Sequence, residues 1–383
     1  MTLRKSLILA SIAATFTTGA ASATNLDSLQ KEIDILKAEN QQILESLDSK
    51  DESSAGAHSG SNKTTIGGYG ELHYNNLSSD TEEKKEIDFH RFVLFFGHEF
   101  NDSIRFFSEL ELEHALVKDT DDGSNKGEVE LEQAYIEFDT SDTASIKAGV
   151  FLIPVGNINE THEPPTFYGV ERNPIEKNII PATWWEAGAM YSANTESGLS
   201  YNLAVHSGLF STEGNVRGGR QKVSNAPADS LAYTARIKYT GVTGLELAAT
   251  AQYQSDFSQG TGGVGDAEDG TLLEANAAYT IGGLKLSALY ASWDINFNGG
   301  TTSGKDSQNG SVVEASYRFN SKWGIFARQN NWTNDDGATD KAQTDFGFNY
   351  WPHEDVVLKA DYQSQNNDAG NFDGFNLGLG YQF

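Results

Sequence analysis

The densest run of side chains able to do chemistry lies between Ile153 and Thr183 (IPVGNINETHEPPTFYGVERNPIEKNIIPAT), where Asn159, Glu160, His162, Glu163, Glu171, Arg172, Glu176 and Lys177 follow one another. Glu160 and His162 could begin a metal site, but no third ligand stands nearby in sequence, so no metal is expected there. Acid–base work on a substrate would want a nucleophile beside it, yet the chain has no Cys and no GxSxG element. The remaining use needs no reactive group. Charges of chosen sign at a narrow passage act through their field, which a low-dielectric surround magnifies. The same charges could instead pair, Arg172 with Glu171 or Glu176, merely to hold the segment down. Five of the seven prolines, Pro154, Pro164, Pro165, Pro174 and Pro181, fall here and dictate a fixed, non-sheet path. A second acidic run, Asp119 to Gly123, hints at calcium. Its sixth position is Ser124 rather than glycine and no helices flank it, so solvated surface is the expectation.

What must position these groups is a β-structure. From Thr64 onward apolar residues alternate with polar ones, as in Ile104 to Glu113 (IRFFSELELE) and Leu199 to Val205, and the pattern recurs to Phe383. Each strand therefore has one greasy and one wet face. Only Ile87 to Phe100 is apolar on both, which leaves Arg91 unplaced. Short turns alternate with long polar loops, among them Asn75 to Glu86, Leu116 to Gly127 and Ser211 to Ala228. About 16 strands of roughly ten residues with an apolar outer face fit an all-β transmembrane antiparallel barrel better than a soluble sandwich. Aromatics near strand ends, such as Tyr74, Trp185, Tyr239, Tyr279, Trp323 and Tyr350, suit two interfacial girdles. On the wet faces Glu71, Glu109, Glu111, Glu113, Glu130, Glu132, Glu246, Glu274 and Glu314 outnumber Arg105, Arg236, Lys238, Lys285 and Arg318. Many of these are expected to be mutual pairs across the wall.

Ahead of the barrel, residues 1–23 carry Arg4 and Lys5, a short apolar stretch and Ala21-Ser22-Ala23, the layout of a cleaved secretory signal. In residues 24–50, Leu26, Leu29, Ile33, Leu36, Asn40, Ile43 and Leu47 trace a heptad seam, with Asn40 as the buried polar residue that sets register in a parallel coiled coil. Residues 51–63 are a Ser/Gly-rich linker. With an even strand count, the barrel's C-terminus, the linker and the helix all fall on the short-turn, periplasmic side.

Composition supports this division. The chain of 383 residues has 27 Lys+Arg against 54 Asp+Glu, a net charge of −27, which speaks against a nucleic-acid partner. A mean hydropathy of −0.47 leaves too little apolar sequence for several helical spans. The final strand ends in Tyr381 and Phe383, a terminal aromatic pattern that resembles the signal read by barrel-assembly machinery.

The stretches NETHEPPTFYGVERNP (Asn159 to Pro174) and ELEQAYIEF (Glu130 to Phe138) resemble the family of phosphate-selective porins O and P. That resemblance covers residues 64–383 and implies a sixteen-stranded trimeric barrel whose loop 153–183 folds inward and narrows the pore. It implies an outer-membrane channel for small solutes or ions, not an enzyme, surrounded by outer-membrane lipid and lipopolysaccharide and needing no cofactor. An anion- or phosphate-selective channel and a structural tether through the coiled coil are the alternatives. Relatives that select phosphate line the channel with arginine and lysine. Here the excess of glutamate favours K⁺ over Cl⁻, with Glu160→Gln plus Glu163→Gln weakening and Arg172→Ala strengthening that preference.

Overall fold

The computed structural model describes residues 63–118, 123, 126–300, 304–334, 341–366 and 371–383. Residues 24–50 with Asn40, and most of the acidic run at 119–125, lie outside them.

Sixteen strands follow in chain order: β1 (Thr64–Ser78), β2 (Glu83–Asn101), β3 (Ile104–Glu113), β4 (Val129–Ser141), β5 (Ala144–Leu152), β6 (Trp185–Asn194), β7 (Leu199–His206), β8 (Ala232–Tyr239), β9 (Leu245–Gln254), β10 (Ala267–Ile281), β11 (Leu284–Phe297), β12 (Ser307–Arg318), β13 (Trp323–Thr333), β14 (Lys341–His353), β15 (Val356–Asn366) and β16 (Asp373–Gln382). Each pairs antiparallel with its neighbour in sequence, and β1 closes on β16. Closure leaves no sheet edge, the condition for carrying strands through hydrocarbon. The last residue completes the seam, with Gly68 and Phe383 exchanging backbone hydrogen bonds of 2.9 Å in both directions.

Alternation sorts the side chains. Leu273 is 59% exposed on the outer face, while its neighbours Leu272 and Glu274, at 0% and 3%, point inward. Tyr201, Ile237, Tyr279, Val313, Phe346 and Leu377 continue the outer band, a greasy surface far too large to be left in water. Trp185 departs from the girdle expected of it. It is buried at the start of β6, beneath the Arg220 guanidinium.

Short connections such as 142–143 and 282–283 alternate with long ones such as 153–184 and 207–231. The first connection differs from expectation. Where residues 75–86 read as a loop, β1 and β2 stay paired out to Ser78 and Glu83, leaving a four-residue turn. Those strand ends stand beyond the apolar band, so they need no greasy face, and ion pairs such as Lys84–Glu86 at 2.8 Å suit them to water. The doubly apolar β2 is explained by a bulge. Glu71 opposes Arg91 and Leu72 opposes Phe89, so His90 is the extra residue and the inward parity switches there. Arg91 points inward, where it pairs with Glu71 at 2.8 Å.

Candidate functional site

The long connection between β5 and β6 enters the barrel and crosses it. Its one-turn 3-10 helix, Pro164–Thr166, packs on β16, β1 and β15, and its single helical turn, α1 (Ile175–Asn178), packs on β12 and β13. Ile153, Val155, Ile175, Ile179, Ile180 and Trp184 are sealed against inward Leu272, Leu289, Trp293, Ile295, Val312 and Trp332, so one half of the barrel interior is a hydrophobic core. Isoleucines in a proline-rich connection are the sequence signal for this docking.

The other half is polar and holds the loop's tip. Lys359 donates to Gly169 O at 2.8 Å, Val170 N donates to Asp361 at 2.6 Å, and Arg328 donates to Glu171 O at 3.2 Å. Two wall glycines leave room for this approach. A Cβ on Gly380 would stand 2.2 Å from the Pro164 Cβ, and one on Gly324 would stand 2.2 Å from the Tyr168 hydroxyl.

The loop divides the water-filled interior. One chamber, of about 680 Å³, faces the long loops and is bordered by His73, Lys84, Asp88, His90, Glu171 and Lys177. A second, of about 750 Å³, faces the short turns and is bordered by Glu160, Arg236, Lys238, Lys285 and Arg318. Phe167 and Arg172 are the lining residues the two have in common, which puts them where the chambers meet.

Several residues expected at the constriction serve other ends. Asn159 is fully buried, donating to Ile153 O at 2.8 Å and Trp184 O at 2.9 Å and accepting from Trp184 N at 2.7 Å; it staples the two ends of the loop together. A connection that leaves the sheet must find partners for its backbone groups, and Asn159 supplies three. Glu176, 1% exposed, accepts from Asn157 N at 2.5 Å, Ile158 N at 2.8 Å and Asn173 at 2.7 Å. Burial raises its pKa against the pull of those bonds. His162 is buried between Glu109 and Glu132, at 3.3 and 3.8 Å, and is no part of the ion path.

Glu160, Glu163, Glu171, Arg172 and Lys177 stay partly or fully exposed. Glu160 is neutralised by Arg236. Glu171 accepts from His73 Nδ1 at 3.1 Å; burial alone would raise its carboxyl, but the His73 hydrogen bond and charge outweigh it and hold it well below the usual range.

The wall acids are similarly engaged. Glu71 pairs with Arg91 and with His73, Glu111 lies 3.5 Å from Arg91, Glu130 pairs with Lys222, and Lys238 meets Glu246 at 2.9 Å. Arg105 bridges Glu137 and Asp139 at 3.0 and 2.6 Å near the short-turn rim. Glu113, at the end of β3, is half-buried.

The arginines beside the loop have acids farther off, Glu130, Glu132 and Glu113 around Arg220, but form no close ion pair among the described residues. Arg172 donates to the Thr183 hydroxyl at 2.7 Å, Arg217 to Lys177 O and Ala182 O at 2.8 and 3.0 Å, and Arg220 to Thr183 O at 2.5 Å. Every one of these acceptors is neutral. Nε and Nη2 of Arg172 are buried and make no hydrogen bond among the described residues. Burial, then the like charges of Arg220 and Arg172, press Arg217 down to about 10. Arg217 and Arg220 come from connection 207–231 and went unnoticed in the sequence, where VRGGR reads as ordinary polar loop.

A family model described as phosphate-selective porin O and P matches residues 67–383. A curated protein of Aquifex aeolicus (strain VF5), described as uncharacterized, is 36% identical over 250 residues, 64% of this chain and 53% of that protein. The chain thus spans about half the length of that relative. Among solved structures, the anion-selective porin from Comamonas acidovorans superimposes with TM-score 0.59 at 11% identity, covering 84% of this chain and 99% of that one. The outer membrane channel DcaP of Acinetobacter baumannii gives 0.56 at 15%, covering 84% and 97%. The trimer form of OmpT from Vibrio cholerae gives 0.57 at 12%, covering 84% and 99%. At these identities the likeness is one of fold.

Proposed function

We propose that this chain, which belongs to the family of phosphate-selective porins O and P, is a passive outer-membrane channel for small hydrophilic solutes and ions, and that its constriction favours anions. The observation that carries the reading is the asymmetry of pairing. Many acids of the wall and loop, Glu71 and Glu160 among them, are paired with cations, while Arg172, where the two chambers join, and Arg217 and Arg220 of connection 207–231 hydrogen-bond only to neutral acceptors. A K⁺ preference rested on the count of glutamates; their pairing removes its basis, because a neutralised carboxylate contributes little field at the path. The family's name and the anion-selective porin among the neighbours point the same way.

A passive channel needs no catalytic group, and the site has the parts of a charged aperture rather than of a nucleophile and base. Bilayer recording and swelling of proteoliposomes in sugar solutions test transport itself. Stepwise conductance and size-dependent swelling are expected, whereas a sealed barrel would favour a structural tether.

The remaining features belong to the same proposal. The barrel is taken as a homotrimer, in keeping with the family and with the trimer form described for OmpT. Residues 24–50 form a parallel periplasmic coiled coil with Asn40 in its seam. Phe383 and Tyr381 present the assembly signal to the barrel-assembly machinery. Ultracentrifugation of the trimeric barrel with and without Asn40→Leu, and of the isolated peptide 24–50, tests the second point; a peptide monomeric at every concentration would defeat it.

A further inference from the structure

Behind the constriction loop, on the barrel wall, three side chains from separate parts of the chain meet in a buried pocket. Glu109 of β3, Glu132 of β4 and His162 of the loop are 1%, 2% and 3% exposed, and each aims one donor atom so that all three lie within 4.8 Å of one another. We propose that this trio is a binding site for one divalent cation of the borderline class, Zn²⁺, which ties the constriction loop to the wall.

The histidine gives the first argument. His162 Nδ1 lies 3.1 Å from Asn159 O, and a carbonyl only accepts, so Nδ1 carries the proton. Nε2 then faces the carboxylates of Glu109 and Glu132. A neutral ring would turn its lone pair against two anions. A cation between them turns the same arrangement into a ligand set, with the backbone carbonyl fixing the tautomer as it does at metal-bound histidines.

The carboxylates give the second. Glu132 Oε2 and both oxygens of Glu111 are buried without a hydrogen-bond partner, and buried charge in proteins is paired or coordinates metal. The cations whose field reaches Glu132 are all engaged elsewhere: Arg91 is shared with Glu71, and Arg172 and Arg220 donate to Thr183.

Backbone geometry is the third. Glu109 opposes Gln133 while Leu110 opposes Leu131, so Glu132 is the extra residue of a β-bulge. The bulge sends both Glu132 and Gln133 inward and re-aims a carboxylate that regular pairing would have placed elsewhere.

Distances fit as well. Two donors each about 2.1 Å from one ion at a tetrahedral angle stand about 3.4 Å apart, against 3.3 and 3.8 Å from Nε2 to the two carboxylates. One imidazole with two carboxylates suits Zn²⁺ better than Mg²⁺ or Ca²⁺. A cavity of about 340 Å³ bordered by Glu109, His162, Glu160 and Glu163 gives access. The histidines of the outer chamber differ, because His73 spends both ring nitrogens on Glu71 and Glu171. Glu160, two residues from His162, takes no part and pairs with Arg236. The third ligand that the sequence lacked nearby comes from the wall.

The test uses the full-length barrel in detergent, stripped with EDTA and titrated with ZnCl₂ in a calorimeter. One binding event is expected that weakens at least tenfold in Glu132→Gln and in His162→Gln, both keeping a native β-sheet spectrum. X-ray absorption at the zinc edge of the unaltered protein, which depends on no variant, should show one imidazole and oxygen ligands. Binding equal in native and variant proteins, no binding at all, or a zinc shell without imidazole would each overturn the proposal, in which case a protonated His162 neutralises the cluster. Neither readout involves conductance, so the outcome is independent of ion selectivity.

Discussion

Removing the positive charge at Arg172 should weaken anion preference by an amount the geometry sets. The residue borders both chambers, and its guanidinium is tied only to the Thr183 hydroxyl. A permeating ion passes it at about 5 Å, where a unit charge contributes about 0.8 kcal/mol in a water-like medium, trimmed to roughly 0.4 kcal/mol by a Debye length of about 8 Å. An anion loses that stabilisation in Arg172→Ala and a cation escapes the matching penalty, so the anion-to-cation permeability ratio should fall roughly fourfold. Arg217 and Arg220 remain, so the sign of the preference should survive. Arg172→Glu doubles the charge change and should lower the ratio by about twentyfold. Reversal potentials of single channels in a tenfold KCl gradient measure this directly. A potential unchanged in both variants, or an Arg172→Ala channel more anion-selective than the native one, would refute the assignment of Arg172 to the ion path.

Gly380→Leu should push Pro164 off the β16 wall and into the lumen, since even a Cβ would sit 2.2 Å from it; single-channel conductance should drop while the β-sheet spectrum is retained, and equal conductance would contradict the docking. Asn159→Ala strands the groups that staple the loop's ends and should cost roughly 2–4 kcal/mol, seen as faster protease cleavage within 153–183 and noisier open-channel current. Glu171, held below its ordinary pKa by His73, contributes loop anchoring that is complete above about pH 4.3 and lost as pH falls through its lower folded value. Current noise should therefore rise at pH 3 relative to pH 6, and Glu171→Gln should show that noise already at pH 6; a native channel equally quiet at both would speak against it. Deleting Phe383 removes both seam bonds to Gly68, so the heat-modifiable barrel form should diminish on gels, and undiminished yield would sink the role given to this residue.

The barrel was readable because membrane strands obey a period of two, and Glu71, Glu109, Glu111, Glu132 and Glu274, assigned to the wet faces by parity, are buried inside it. Parity failed where the backbone breaks it, at the His90 bulge that hid the placement of Arg91. Strand ends at Ser78 and Glu83 were missed because strands standing in water lose the apolar face that announces them. The loop was recognisable from its prolines, but the roles inside it were not. A polar residue in an inward loop reads as facing water, whereas Asn159 and Glu176 are consumed by backbone groups that have left the sheet. Counting charges overlooks pairing for a related reason. Selectivity depends on which charges lack partners, and partners such as Arg236 for Glu160 lie 76 residues away. Arg217 and Arg220 reach the constriction loop from another connection, a contact that no local pattern encodes.

The sign of the native channel's reversal potential tests the central claim most directly. With the full-length protein in a planar bilayer and a tenfold KCl gradient, Arg172 where the chambers meet, with Arg217 and Arg220 against the same loop, predicts a potential of Cl⁻-selective sign that shrinks toward zero as salt is raised on both sides. A potential of K⁺-selective sign would mean that the paired glutamates still govern the path, and would contradict the account.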